Sequence, residues 1–300
     1  LGEKFGDRKL IIAGAFCYVT GLILSTFATN PLTHQFLEFV IGFGIAGTGM
    51  GMILAVVGRA SSDKNRSMSL GIVTAAGSVG QMIGAPLTQA LLSIYTWQNV
   101  FIIFALSIII VMAMVPLLKG KPVSTKKEIE VSLTKVLTNA FKDPNFGMIF
   151  LGFFACGYQL AFVSAHFPAM VTEMCSAVSP TSMLNYLGVS NTSNLGALAI
   201  ALIGFSNIFG TILAGWLGVK FPKKYLLTGV YGLRTIIGIL FIIYPITPLS
   251  VVLFSVFMGS LWLATVPLTS GLIAHIYGLR YMGTLYGLVF FSHQMGSFLG

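Results

Sequence analysis

Nine runs of predominantly apolar residues, each near the roughly 20 residues that a membrane helix needs, alternate with short polar segments: 10–28, 35–57, 68–92, 99–118, 146–170, 195–217, 225–244, 249–272 and 282–300. Sixteen of the 17 lysines and arginines lie between these runs. Threading the runs back and forth through a bilayer puts all sixteen on one side, in the clusters Lys4/Arg8/Lys9, Arg59/Lys64/Arg66, Lys119 to Lys142, Lys220/Lys223/Lys224 and Arg280. The opposite connections, marked by Pro31, Tyr95-Thr96-Trp97, Glu173 to Asn194, and Pro245 with Pro248, carry no basic residue. The bias of basic loops toward the cytoplasm orients the chain, and the first run points outward.

Composition agrees with this pattern. With 56% hydrophobic and 8% charged residues and a mean hydropathy of +0.90, the chain is far from a soluble globule, in which about a quarter of residues carry charge. It reads as an all-α polytopic membrane protein. A net charge of +9 would suggest nucleic acid in a soluble chain, but here the charge sits in short loops beside anionic headgroups. Cys17 and Cys156 fall inside apolar runs and Cys175 follows Glu173 in an outer loop, a distribution with neither a disulfide framework nor metal-ligand spacing.

Residues 119–144 are the longest charged stretch. Leu133, Val136, Leu137 and Phe141 share one helical face there, after Lys126-Lys127-Glu128, which reads as an amphipathic cytoplasmic linker. It divides a first helical bundle, 1–118, from a second, 145–300, and Asp143-Pro144 marks the start of the next span.

The two parts repeat. At a constant offset of 216, Leu1-Gly2-x-Lys4-Phe5 matches Leu217-Gly218-x-Lys220-Phe221, and Gly71, Val73, Gly80 and Gly84 match Gly287, Val289, Gly296 and Gly300, with Arg59 opposite His275. An offset spanning an even number of helices makes the copies parallel, as in carriers whose halves rock around a central site.

LGEKFGDRK at Leu1 to Lys9 resembles the cytoplasmic signature between the second and third helices of the major facilitator superfamily, and Gly77-x-x-Gly80-x-x-x-Gly84-Ala85-Pro86 is similar to the glycine-rich stretch of its fifth helix. The resemblance implies the twelve-helix fold of two parallel-duplicated bundles, of which nine helices are present, with two missing in front and about one behind. CGYQLAFVSAHFP (Cys156 to Pro168) and PLTSGLIAHIYGLRYMGTLYG (Pro267 to Gly287) look like bacterial members of the branch holding monocarboxylate transporters and oxalate:formate exchangers. Three positions depart from the pattern: Val219 stands at the acidic place of the second signature, Glu38 where many proton-coupled members have arginine, and residues 195–217 lack the intramembrane arginine usual on the eighth helix.

The polar groups at depth are the candidates for chemistry. Arg234 follows Lys224 by ten residues, which is roughly 15 Å into a core about 30 Å thick. A buried arginine costs about 2.5–3.5 kcal/mol there even on the lenient scale, so it needs an interior partner or a cavity. Glu38 reads either as a proton-coupling acid or as interfacial polarity. His293 and Gln294 lie about a dozen residues into the last run, on what the resemblance makes a cavity-lining eleventh helix; His293 is a second candidate for proton coupling, or a satisfied interior histidine. Gln159 and His166 share a face of the seventh helix, and Asn207 on the eighth and Trp262 on the tenth complete the candidate substrate ring. Glu3, Lys4, Gly6, Arg8, Gly218 and Lys220 in the signatures, with Gly80, Gly84 and Pro86, are the candidate conformational residues. Glycines at 42, 44, 47, 49 and 51 let a helix approach and slide along its neighbours.

Asn191-Thr192-Ser193 matches the glycosylation acceptor pattern weakly. No Walker loop, Rossmann fingerprint or His-Glu-x-x-His is present, so ATP-driven pumping, dinucleotide chemistry and zinc hydrolysis lack their carriers. The expected function is secondary transport by alternating access, without a cofactor and not as an enzyme. The expected substrate is a small organic anion moved by a monomer in the cell inner membrane, through proton symport or anion exchange. Drug efflux by proton antiport and a channel or scramblase are the alternatives.

Overall fold

The computed structural model describes residues 6–117, 132–279 and 281–300, and among them every regular element is helical. In chain order these are α1 (Asp7–Ser25), α2 (Pro31–Thr48), α3 (Met50–Ala60), α4 (Arg66–Leu92), α5 (Trp97–Met114), α6 (Leu133–Lys142), α7 (Pro144–Met174), α8 (Met183–Tyr186), α9 (Thr192–Lys220), α10 (Lys223–Ile243), α11 (Pro248–Leu261), α12 (Thr265–Tyr277) and α13 (Met282–Leu299). Three spans begin with a capping side chain before proline. Asn30 accepts from the Thr33 N–H at 2.8 Å, Asp143 from Asn145 at 2.9 Å, and Thr247 shares a capping box with Ser250. Proline at the first helical position removes a donor that would have had no partner there.

One bundle gathers α1, α2 and α5 with α3 and α4, and the other gathers α7 and α9 to α13. They meet where α4 lies along α9 and where α3 lies against α13. At the first crossing a Cβ on Gly71 would stand 2.7 Å from the Thr211 carbonyl and 3.0 Å from the Gly215 Cα, so the backbones approach as only glycine allows. The outer faces are apolar and uncovered. Ile109, Ile110 and Val111 of α5 and Ile239, Ile242 and Ile243 of α10 are exposed, a surface suited to lipid rather than water.

The 216-residue offset reappears in the helices. α1 and α10 start at Asp7 and Lys223, and α4 and α13 start at Arg66 and Met282. Each half also has a broken helix at the same place. The Pro31–Ala60 span is interrupted at Gly49 between α2 and α3, and the Pro248–Tyr277 span at Trp262 to Ala264 between α11 and α12. Interrupted spans hold irregular backbone at membrane depth, which is tolerated only where protein or a cavity covers it.

Seven helical spans among the described residues are long and apolar enough to cross a membrane, which differs from the nine expected. α4 and α13, counterparts in the repeat, are not among the seven. α13 carries Ser292, His293, Gln294 and Ser297 among its 18 residues, and these polar groups lower its hydropathy. The linker helix is formed by α6, whose Val136, Leu137 and Ala140 pack toward Phe146, while Phe141 is exposed with its ring 5.7 Å from that of Phe146. Lys126-Lys127-Glu128 lies outside the described residues.

Candidate functional site

A cavity of about 680 Å³ opens between α1, α2 and α3 on one side and α13 on the other. At one end stand Asp7 and Arg59, joined by a 2.6 Å salt bridge; further along are Met50, Phe290 and Gln294. The α13 wall is smooth at Gly287, around which an added Cβ would meet nothing within 4 Å.

Behind that wall lies a second polar centre. Arg234 is 1% exposed at the twelfth of the 21 residues of α10. Its Nη1 donates to Cys156 Sγ at 3.2 Å, while Nε and Nη2 have no partner. Among the described residues no carboxylate forms a salt bridge with it. Cys156 also lies 3.5 Å from Thr265 Oγ1, the first residue of α12, and His293, whose backbone packs on the adjacent Gly157, leaves its Nδ1 unpartnered. Tyr286 is 0% exposed and its hydroxyl too has no partner.

Phe290 separates the two spaces. It lines the cavity and stacks on His293 with centroids 5.5 Å apart and planes 2° from parallel; Phe153 closes the other side of the imidazole at 5.2 Å. The position of His293 is fixed by backbone contact as well, since a Cβ on Gly157 would fall onto the His293 carbonyl. Ser292 and Ser297 donate to the carbonyls of Phe150 and Gly157 at 2.8 and 3.1 Å, holding α13 along α7.

Asn207 occupies a structural junction. Its Nδ2 donates to Ser78 Oγ across the bundles at 2.8 Å, and its Oδ1 accepts the Leu263 N–H at 2.9 Å, inside the break between α11 and α12. That side chain therefore satisfies a backbone donor freed by the interruption. Neither it nor Trp262, 2% exposed in the core, lines the cavity.

The other expected residues are dispersed. Gln159 is half-buried with Nε2 3.9 Å from Met258 Sδ, and His166 is exposed with its ring 5.1 Å from Phe162. Glu38 has a side chain 53% exposed, 3.9 Å from His34, rather than a place in the cavity. Gly80 and Gly84 face open space, and the helix runs on through residue 86. Gly218 is tight against Leu268 and Ser67, and the Lys220 ammonium sits 3.8 Å over the Trp216 ring. Gly6 has φ +92° and Arg8 is exposed on α1, while Glu3 and Lys4 lie outside the described residues. Reading the sequence missed Cys156, Tyr286, Phe290 and Ser78, whose apolar or small side chains look like packing until the fold brings them together. It also missed the Asp7–Arg59 pair, although Asp7 stands inside the quoted signature.

Among the described residues no group of three or more His, Cys, Asp or Glu is placed to hold a metal. The fold matches that of the Escherichia coli fucose:proton symporter FucP, with a TM-score of 0.73 at 14% identity over 98% of this chain and 76% of that one. In sequence the chain is 21% identical to the MFS-type transporter YcxA of Bacillus subtilis over 99% of its length, and 24% identical to monocarboxylate transporter 13 of Bos taurus over 100%. It spans 71% and 67% of those two proteins. The profile of the Major Facilitator Superfamily matches residues 1–300, and this chain belongs to that family.

Proposed function

We propose that this secondary transporter moves a small organic anion by alternating access, through proton symport or anion exchange, as a monomer in the cell inner membrane with its basic loops and the 119–144 linker cytoplasmic. The observation that carries the substrate class is Arg234. It is a fully buried charge without a carboxylate partner among the described residues, behind a cavity in which the one acid among the described lining residues, Asp7, is already paired with Arg59. A cation held at depth favours an anion over a cationic drug. The similarity to a monocarboxylate transporter supports the same class.

In this reading Gln294 meets the substrate from the cavity wall, His293 relays a proton or orients the substrate, and Gln159 and His166 extend the polar lining in another state of the cycle. Asn207 and Trp262 contribute through the broken helix they hold, and Glu38 is a coupling acid only if a further state buries it. Glu3, Lys4, Gly6, Arg8, Gly218 and Lys220 shape the cytoplasmic ends that open and close, and Gly80, Gly84 and Pro86 let α4 bend and slide.

The open face of α13 belongs to the same proposal. Gly71 packs on α9, whereas its repeat counterpart Gly287 has nothing within 4 Å. The counterpart of α9 is the element that the repeat would place against Gly287.

Uptake in proteoliposomes tests the function. A panel of monocarboxylates, dicarboxylates, amino acids and cationic drugs, run with and without a pH gradient, should show carboxylate accumulation or exchange. His293→Ala should insert and fold yet transport more slowly or with a changed pH dependence. Cationic-drug transport with no carboxylate response contradicts the anion assignment.

A further inference from the structure

The two unpartnered nitrogens of Arg234 are not an arbitrary pair. Nε and Nη2 form the side-on edge of the guanidinium, where two N–H bonds run parallel in the geometry that fits both oxygens of one carboxylate. Cys156 occupies the remaining nitrogen, Nη1, and so holds the fork in place without using that edge. A buried guanidinium with its bidentate edge empty leaves two donors unsatisfied, each at about 1–3 kcal/mol. A ligand that fills the edge removes that penalty.

The surroundings repeat the preference for negative charge. Thr265 begins α12 and brings its Oγ1 to 3.5 Å from Cys156 Sγ, at the positive end of that helix. The Tyr286 hydroxyl is buried without a partner, and its ring packs edge-on against Phe153 with centroids 5.9 Å apart. His293 packs beside Cys156 through its backbone contact with Gly157, and Phe290 stands between the imidazole and the cavity.

We propose that Arg234, Cys156, Thr265, Tyr286 and His293 form a carboxylate-recognition site enclosed in the second bundle, with Phe290 as the shutter toward the cavity. The proposal rests on the anion-transport reading above and adds where the anion's head is bound. The carboxylate takes the Nε/Nη2 edge, the rest of the molecule remains toward the cavity, and Cys156 stays in contact with Nη1 beside the bound group. A neutral amide of the same shape gains little, because its NH2 group brings a further donor to an edge made of donors.

The position of Cys156 supplies a test that does not depend on transport. Residues 1–300 hold three cysteines, so Cys17→Ser with Cys175→Ser, together with serine at any cysteine elsewhere in the full-length carrier, leaves Cys156 as the single thiol. Its alkylation by N-ethylmaleimide is followed by mass spectrometry in proteoliposomes of the full-length carrier. Lactate, propionate and benzoate are compared with their amides, and uptake of each is measured in parallel. The expected result is slow labelling, accelerated several-fold by Phe290→Ala. The carboxylate transported fastest should slow it at least threefold, its amide should not, and the protection should vanish in Arg234→Lys, which keeps the charge but not the edge.

Transport of a carboxylate without any protection of Cys156 would overturn the site and leave the transport reading standing. So would protection that survives Arg234→Lys, or a thiol that stays unlabelled even in Phe290→Ala. Failure of every carboxylate to be transported would instead overturn the reading on which the site rests.

Discussion

Tyr18 and Arg234 hold the same place in the two halves at the 216-residue offset, one on α1 and the other on α10. The helices around them start and break in register, yet one half has a half-buried phenol there and the other a fully buried guanidinium with an empty edge. The ends of these helices differ too. Asp7 and Arg59 form a salt bridge, whereas their counterparts Lys223 and His275 cannot, and the second half instead ties Tyr277 to Asp143 at 2.5 Å. Duplication thus preserved the backbone, which symmetric rocking needs, and left the polar chemistry free to diverge. The buried guanidinium with unpartnered nitrogens lies in the second half, where the proposed recognition site is placed.

The sharpest way to break that comparison uses one matched glycine pair. A Cβ on Gly296 would fall onto the Phe154 carbonyl, while one on its counterpart Gly80 would meet nothing within 4 Å. Gly296→Ala should therefore destabilise by about 3 kcal/mol, near the upper end for overpacking. Gly80→Ala should leave the melting temperature in detergent unchanged. Equal effects would mean that α13 does not lie on α7 as described.

A smaller effect is expected at the junction between the halves. Asn207→Ala frees the Leu263 N–H inside the broken helix and removes the Ser78 contact. A buried donor left unsatisfied costs about 1–3 kcal/mol. Ser78→Ala, which removes only the contact between bundles, should cost less in the same melting assay. Their order would reverse if the bundle contact, rather than the broken helix, were what Asn207 serves.

The frame and these junctions were not equally legible in the sequence. The apolar runs, the positive loops and the glycine matches expose the spans and the duplication directly, because lipid and close helix packing each demand a residue type at regular spacing. Arg234 and His293 stand out as polar groups at depth. Cys156 and Phe290 do not, since a small thiol and an aromatic ring look like ordinary core residues, and their roles come from α7, α10 and α13 meeting in space. Asn207 stood out as polar, but its partners, Ser78 and a backbone N–H 56 residues away, depend on how the helices cross.

The smallest effect concerns the tie particular to the second half. The Tyr277 hydroxyl, and next the Asn145 backbone N–H, hold the Asp143 carboxyl below its ordinary value of 3.8. A lowered carboxyl pKa stabilises the fold in full above that ordinary value and loses the contribution as the pH falls through the lowered one. Melting curves from pH 7 down to about pH 4 should thus show no loss from this group. Tyr277→Phe should bring its titration back up toward 3.8, so that the variant melts below wild type at neutral pH and the difference shrinks as the pH falls below that value. A difference that stays constant into acid would show that the hydrogen bond does not perturb Asp143.

The unequal division of chemistry between equal halves is tested most directly by initial-rate uptake of one transported carboxylate into proteoliposomes, comparing wild type, Tyr18→Phe and Arg234→Lys at matched protein incorporation. Losing a bidentate contact to a charged group, at about 1.5–3 kcal/mol, should raise KM more than tenfold in Arg234→Lys, whereas Tyr18→Phe should stay within about twofold of wild type. Wild-type kinetics in Arg234→Lys, or an equal loss in Tyr18→Phe, would contradict the account.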